Sequence, residues 1–248
     1  MNERMAPAFY GAPARVHRPA LRAWWLVLHP PYTAWHLSYV VIGACISPGT
    51  DGVRLGATLL AFFLAVGVGA HALDELHGRP LRTGLPGPAL VAAAVVGVGG
   101  AVAIGIAGVA RVGLGLLGFV ALGVILAVGY NLELLGGRLH TDAWFAAAWG
   151  AFPVLTAHYA QVESVRVEGV LAAAGAFFLA EAQRHLSTPA RTLRRRVRSV
   201  DGTVVYTDGT TGALDPHTLL RPLERALRAL TLSVMALACA LAVARFWS

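Results

Sequence analysis

The chain has 248 residues, of which 56% are hydrophobic and 13% charged, and its mean hydropathy is +0.62. Soluble globular domains carry about 25% charged residues, so the composition argues against a soluble domain and predicts a polytopic membrane protein. The formal net charge of +7 comes entirely from arginine, because the sequence has no lysine. No basic module with interleaved aromatic residues accompanies this charge, so we predict membrane lipids, and no nucleic acid, as partners.

Seven apolar segments follow one another, each near the ~20 residues that a membrane-spanning helix needs. They comprise residues 25–47, 53–73, 88–109, 112–132, 142–161, 167–182 and 229–246. This pattern predicts an all-α transmembrane bundle of about seven spans.

The arginines predict the orientation of these spans. If the N-terminus is cytoplasmic, sixteen of the 20 arginines lie on the cytoplasmic side, and the four on the other side are Arg54, Arg111, Arg166 and Arg245. Positive charge collects on the cytoplasmic side of membrane proteins. We therefore expect an integral protein of a prokaryotic plasma membrane with a cytoplasmic N-terminus.

The sequence divides into four parts. A cytoplasmic N-terminal segment (1–24) without the features of a secretory signal precedes the bundle (25–190), and a basic cytoplasmic loop (191–228) precedes the last span (229–248). Within 198–209, Asp201-Gly202 between β-prone residues predicts a tight hairpin, and Asp208-Gly209 a second turn. Asp215-Pro216 then predicts the start of an amphipathic surface helix that precedes the last span.

The end of the second segment carries the first candidate site. His71, Asp74 and Glu75 have the i, i+3, i+4 spacing of one helical face. Asp74 and Glu75 can supply the oxygen ligands that Mg²⁺ prefers, and Arg79 and Arg82 can bind phosphate in bidentate fashion. The alternative is a solvated helix end in which the two carboxylates pair with these arginines.

A matching arrangement ends the sixth segment. Glu181, Arg184 and His185 again share one helical face, and Pro189 is predicted to end the helix before Arg191. Both arrangements fall at cytoplasmic helix ends, so we expect them to face one cavity. The alternative is a run of arginines that only fixes the orientation of the span.

Polar residues also end the fourth segment, and aromatic residues follow in the fifth. Asn131 and Glu133, which His140 follows, are expected to line the same cavity, and the alternative is that Glu133 lies at the membrane interface. Trp144 and Trp149 are typical of an interfacial belt or a helix core. Alternatively, they form an aromatic wall for an isoprenoid tail or a carbocation.

Several of these stretches resemble the UbiA-type membrane prenyltransferases. An apolar span that ends in carboxylates and continues into Arg79-Pro80-Leu81 is similar to the first aspartate-rich motif of that family, with Asp74 in place of its middle aspartate. His29-Pro30-Pro31 resembles the opening Arg-Pro of the family. Tyr130-Asn131 and 149–153 occupy similar places, and the second acidic motif falls at 181–185. The resemblance covers about 28–191.

The resemblance implies a prenyltransferase that acts on a polyprenyl diphosphate, with Mg²⁺ assisting its departure and a lipid or aromatic acceptor. It implies a catalytic set of Asp74, Glu75, Asn131 and His140, a substrate-binding set of His71, Arg79, Arg82, Arg184 and Arg191, and the metal ligands Asp74, Glu75 and Glu181.

The sequence also departs from the family pattern. Ala70, His71 and Gly78 replace residues of the first motif, and His185 stands in place of a second carboxylate. Family members have about nine spans where this sequence shows seven. These differences leave open a non-catalytic UbiA-like protein that binds lipid or a partner, and a transporter. A further alternative is an iron or zinc enzyme, which would use His71, Glu75, His77, His140 and His185.

Overall fold

The computed structural model describes residues 18–134, 136–138 and 140–247. Helices dominate these ranges. In chain order they are α1 (Pro19–Leu28), α2 (Pro30–Cys45), α3 (Gly52–Phe62), α4 (His71–Leu76), α5 (Gly87–Val112), α6 (Leu116–Asn131), α7 (Asp142–Ala146), α8 (Phe152–Val162), α9 (Val167–Arg195) and α10 (Pro216–Phe246). The π-helical segment Phe63–Ala70 joins α3 to α4, and the π-helical segment Ala147–Ala151 joins α7 to α8.

Helical structure covers most of each of the seven apolar segments. Three of the described helices are long and apolar enough to cross a membrane, namely Gly52–Leu76, Gly87–Val112 and Pro216–Phe246. Leu116–Asn131 is also apolar but shorter. A mostly helical chain with long apolar helices is thus confirmed, whereas seven membrane crossings remain a prediction.

Local sequence signals set several helix boundaries. The Asp51 side chain accepts hydrogen bonds from the amides of Val53 and Arg54 and so caps α3. Asp215 caps α10 by accepting from the Thr218 amide, with proline at the first helical position. The pKa of the Asp215 carboxyl group is lowered, mainly because the carboxylate accepts a hydrogen bond from the backbone amide of Thr218. The hydrogen bond from the Thr218 side chain lowers this pKa further.

The hairpin prediction is confirmed, but the position of its turn is wrong. Strand β1 (Gly202–Val205) pairs antiparallel with β2 (Thr211–Leu214), so Gly202 is the first residue of a strand and lies opposite Leu214. The turn forms at the second predicted position, Asp208-Gly209, where Gly209 has a φ of +84°. Glycine adopts this left-handed conformation without steric cost, so Gly209 permits the chain to reverse there.

Two predicted helix boundaries are also wrong. Helix α9 continues through Pro189 to Arg195. A proline removes one backbone hydrogen bond from a helix, and here the buried neighbours Ser187 and Ala190 hold the helix against the rest of the protein. Helix α10 likewise continues from Pro216 to Phe246, so the expected surface helix and the last span form one helix.

Small residues bring the helices into close contact. A Cβ atom on Gly97 of α5 would lie 2.6 Å from the backbone nitrogen of Gly69, and one on Gly150 would lie 2.5 Å from the carbonyl oxygen of Ala176. Such close approaches are typical of packed membrane helices. They fix α5 against the π-helical segment Phe63–Ala70, and α9 against the segment Ala147–Ala151.

The long helix Gly52–Leu76 separates two groups of arginines. At its start, Arg54 donates to the carbonyl oxygen of Arg111 at 2.6 Å and forms an ion pair with Glu163 at 2.8 Å. Near its other end lies Asp74, which shares a cavity with arginines of α9. The twenty residues from Arg54 to Asp74 correspond to about 30 Å of helix, so the two groups lie at opposite ends of this helix.

Candidate functional site

A cavity of about 430 Å³ opens beside α4, at the polar end of the helix Gly52–Leu76. Its volume lies in the range of small-molecule sites. We call it the polar basin. Its polar and aromatic lining residues are His29, Tyr32, His71, Asp74, His77, Tyr130, Asn131, Glu133, His140, Phe145, Trp149, Gln183, Arg184, Ser187, Arg191, Arg195 and Arg196.

Helix α9 supplies the positive charge of the polar basin. Arg184, Arg191 and Arg195 are spaced i, i+7 and i+11, which places them on one side of a helix. The Arg184 Nε donates to Asp142 Oδ1 at 2.8 Å, and its guanidinium carbon lies 4.9 Å from the centre of the Phe145 ring. These contacts hold the Arg184 guanidinium in one orientation towards the basin.

The charges of the α9 arginines affect one another. These residues lie beyond the predicted span 167–182. Burial lowers the pKa of Arg191, and the neighbouring charge of Arg184 lowers it further. Burial and the charge of Arg191 likewise lower the pKa of Arg195. These like charges repel one another in the partly buried basin, and a bound anion would reduce that repulsion.

Asp74 and Glu75 have different surroundings although they are adjacent in sequence. Asp74 lines the polar basin. Glu75 is completely buried away from it, and its carboxylate accepts hydrogen bonds from the Leu81 amide (3.0 Å), the Thr83 amide (2.9 Å) and the Thr83 hydroxyl (2.8 Å). Glu75 therefore anchors the connection between α4 and α5, and both of its oxygens are occupied.

Four other predicted site residues do not line the polar basin. Arg79 donates to the carbonyl oxygen of Leu85 at 2.6 Å, and Arg82 is exposed to solvent. Glu181 lies outside the basin, and its carbonyl oxygen is 3.0 Å from Nδ1 of the exposed His185. The two helix ends do share one cavity, as expected, but α9 contributes arginines to it and not Glu181 or His185.

The remaining predicted residues meet in the basin. His71, Asn131, His140, Arg184 and Arg191 all line it together with Asp74. The His140 ring stacks on Tyr130 with a centroid distance of 4.5 Å, and the Asn131 side chain donates to the carbonyl oxygen of Ala127 at 2.7 Å. The structure thus brings these side chains together, while their chemical roles stay predictions.

Glu133 lies where the basin meets solvent. Its oxygens are 3.7 Å from His77 Nε2 and 3.9 Å from His140 Nδ1, and about half of its side chain is exposed. Glu133 therefore lines the cavity at its rim, while a position at the membrane interface remains a prediction.

A second cavity of about 150 Å³ has an almost entirely apolar lining. We call it the apolar groove. It lies between the helix Gly52–Leu76, α5, α6 and α8, and extends towards Arg54 and Arg111. Val66 and Trp149 line both this groove and the polar basin. The twelve residues from Arg54 to Val66 correspond to about 18 Å of helix, which gives the approximate length of the groove.

Sequence reasoning did not assign Tyr32, Gln183, Ser187 or Arg195 to the site. The spacing of Arg184, Arg191 and Arg195 was visible in the sequence. Arg184 and Arg191 were predicted, but Arg195 was missed because Pro189 was expected to end the helix, which would remove the common face of the three arginines.

The residues of the basin do not fit a two-magnesium diphosphate site. Two Mg²⁺ ions require several carboxylate oxygens besides those of the phosphates. Asp74 and Glu133 are the carboxylates among the lining residues, while Glu75 is engaged by Leu81 and Thr83. Within the part of the chain that the structure describes, no group of three or more His, Cys, Asp or Glu residues is placed to hold a metal ion.

No protein-family model, curated protein or solved structure matched this chain when it was compared with each. The resemblance to the UbiA-type prenyltransferases therefore depends on the sequence motifs described above, and membership of that family is a proposal.

Proposed function

We propose that the protein is an integral membrane UbiA-like prenyltransferase that acts on a polyprenyl diphosphate. The observation that carries the proposal is that two cavities of opposite chemistry share part of their lining. An arginine-rich polar basin adjoins an apolar groove, and Val66 and Trp149 line both. A molecule with an anionic head and a long hydrocarbon tail is complementary to this pair.

The anionic head would bind in the polar basin. Guanidinium groups match the oxygens of phosphate in bidentate geometry. Arg184 is already oriented by Asp142 and Phe145, so little side-chain entropy is lost when it binds an anion. The tail would lie in the apolar groove, where contact with aliphatic side chains removes it from water.

The reaction follows from this placement. The bond between C1 of the prenyl chain and the diphosphate oxygen breaks, and its electron pair leaves with the diphosphate, which the α9 arginines stabilise. Positive charge that develops at C1 is stabilised by the faces of Tyr130 and Trp149. The acceptor forms a bond to C1 and gives up a proton, for which Asp74 is the base, while Asn131 and His140 orient the acceptor.

A turnover assay tests the proposal. The purified protein in lipid nanodiscs is given radiolabelled geranylgeranyl diphosphate and a bacterial lipid extract as the source of acceptor, and labelled product and released diphosphate are measured. We expect equal amounts of both. Arg191→Gln should lower turnover about tenfold or more, because it removes hydrogen bonds to a charged group. The exposed Arg82→Gln is the matched control and should leave turnover unchanged.

The reduced set of carboxylates favours a second candidate, a UbiA-like protein that binds such lipids without reacting with them. Binding of geranylgeranyl diphosphate without release of diphosphate, in the presence of the lipid extract, would support this candidate and contradict the transferase. Absence of binding would contradict both.

A further inference from the structure

Positively charged side chains outnumber negatively charged ones in the polar basin, which affects how an anion would bind there. Four arginines of the α9 region line the basin, namely Arg184, Arg191, Arg195 and Arg196, against the two carboxylates Asp74 and Glu133. Glu133 lies at the rim beside two histidines. Asp74 is therefore the one acidic side chain among the described residues that faces the interior of the basin.

The position of Glu75 limits what Asp74 can do. A metal ion that bridges protein and diphosphate needs oxygen ligands from the protein. Moving the Glu75 carboxylate into the basin would leave the buried Leu81 amide and the Thr83 amide and hydroxyl without their acceptor, and unpaired buried donors are strongly unfavourable. Asp74 would therefore have to bind the cation without a second carboxylate ligand from Glu75.

The arginines can replace the cation. Arg184 is fixed by Asp142, and the Arg191 Nη2 donates to the neutral Thr188 hydroxyl at 3.2 Å. Among the described residues no ion pair to Arg191 is found, so no carboxylate contacts its guanidinium group, although the charge of Asp74 acts on it from beyond ion-pair distance. Guanidinium groups on one side of α9 can therefore contact several oxygens of one diphosphate.

We propose that the α9 arginines bind the diphosphate head group directly, without a divalent cation, and that Asp74 is not a metal ligand. This inference rests on the proposed function, because it describes how the same substrate is held. The proton produced when the acceptor reacts passes to Asp74, so the step needs no further reactant.

The charge of Asp74 makes the two modes of binding distinguishable. If a cation joins Asp74 to the diphosphate, neutralising the carboxylate removes a ligand and weakens binding. If the arginines bind the diphosphate alone, the carboxylate repels it, and neutralising the carboxylate leaves binding unchanged or strengthens it. Asp74→Asn keeps the size of the side chain, so the two modes predict opposite effects of one substitution.

Calorimetry on the full-length protein in nanodiscs tests this, with inorganic pyrophosphate as the probe, once with EDTA and once with millimolar Mg²⁺. We expect binding in EDTA, at least equal affinity for Asp74→Asn, and an affinity about tenfold or more lower for Arg191→Gln. Arg82→Gln, on an exposed arginine outside the basin, should bind like the wild type. Size-exclusion chromatography verifies that each variant is folded.

Two results would overturn the inference. One is binding that requires Mg²⁺ and is lost in Asp74→Asn, which would leave the proposed function intact. The other is no binding of pyrophosphate in either condition. In that case the turnover assay with geranylgeranyl diphosphate decides separately whether the proposed function also fails.

Discussion

At the residue scale, Asp74 and Glu75 show how one step along a helix separates two functions. Successive residues of an α-helix point about 100° apart. With Asp74 directed to the polar basin, Glu75 is directed to the connection after α4, where it accepts three hydrogen bonds. The sequence places two carboxylates at one helix end. It does not reveal that Leu81 and Thr83 donate hydrogen bonds to Glu75 and not to Asp74.

The structural role of Glu75 predicts a loss of stability in Glu75→Gln. An amide retains one acceptor oxygen but presents an N–H₂ group to donors of the connection, so at least one buried donor loses its partner. We expect a decrease of about 1–3 kcal/mol in the free energy of unfolding. Thermal unfolding followed by circular dichroism in nanodiscs measures it.

Asp74→Asn is the matched variant on the neighbouring residue. Because Asp74 faces a cavity and not a network of buried donors, its substitution should shift the unfolding temperature much less. Equal unfolding temperatures for Glu75→Gln and the wild type would contradict the role assigned to Glu75.

At the scale of elements, the close packing of α5 on the π-helical segment Phe63–Ala70 shapes the apolar groove. Gly97 contacts the backbone of Gly69 and of Leu64, whereas a Cβ atom on Gly99 of the same helix would meet no other atom within 4 Å. A glycine-rich helix such as α5 favours close helix packing in general terms. Which glycine lies at the contact depends on the relative rotation of two helices, which is a tertiary property.

Gly97→Ala and Gly99→Ala form a matched pair on one helix. The Gly97→Ala methyl group would lie 2.6 Å from backbone atoms, so the helices must separate, and we expect a loss of about 1–3 kcal/mol in stability. Gly99→Ala places its methyl group in open space and should be neutral or stabilising by up to about 1 kcal/mol. Chemical unfolding in mixed micelles compares them, and equal destabilisation by both would contradict the packing described.

Much of the architecture follows from local sequence signals, because hydropathy and helix caps act over short distances. The helical segments, the cap at Asp215 and the existence of a hairpin are of this kind. The extent of α9 does not follow from local signals. Helix propensity alone favours a helix end at Pro189, but the burial of Ser187 and Ala190 keeps the helix intact beyond it. The three arginines share one face only because α9 continues through Pro189. This is why only part of the site was predicted.

At the scale of the whole molecule, the fold places a charged basin and an apolar groove end to end. The basin lies at one end of the helix Gly52–Leu76, and the groove follows that helix towards the Arg54 and Glu163 pair at the other end. Several separate helices contribute to both cavities, so the lining that they share at Val66 and Trp149 exists only in the assembled bundle. The central claim is that one amphiphile occupies both cavities at once.

Photo-crosslinking with a farnesyl diphosphate analogue that carries a diazirine near the end of its tail tests this claim most directly. After irradiation of the protein in nanodiscs, mass spectrometry locates the modified residues. We predict modification of groove residues such as Phe119 and Phe152, which excess pyrophosphate suppresses and which Arg191→Gln reduces about tenfold. Modification confined to exposed apolar residues outside the groove, such as Leu171 and Phe178, and unaffected by pyrophosphate would contradict the claim.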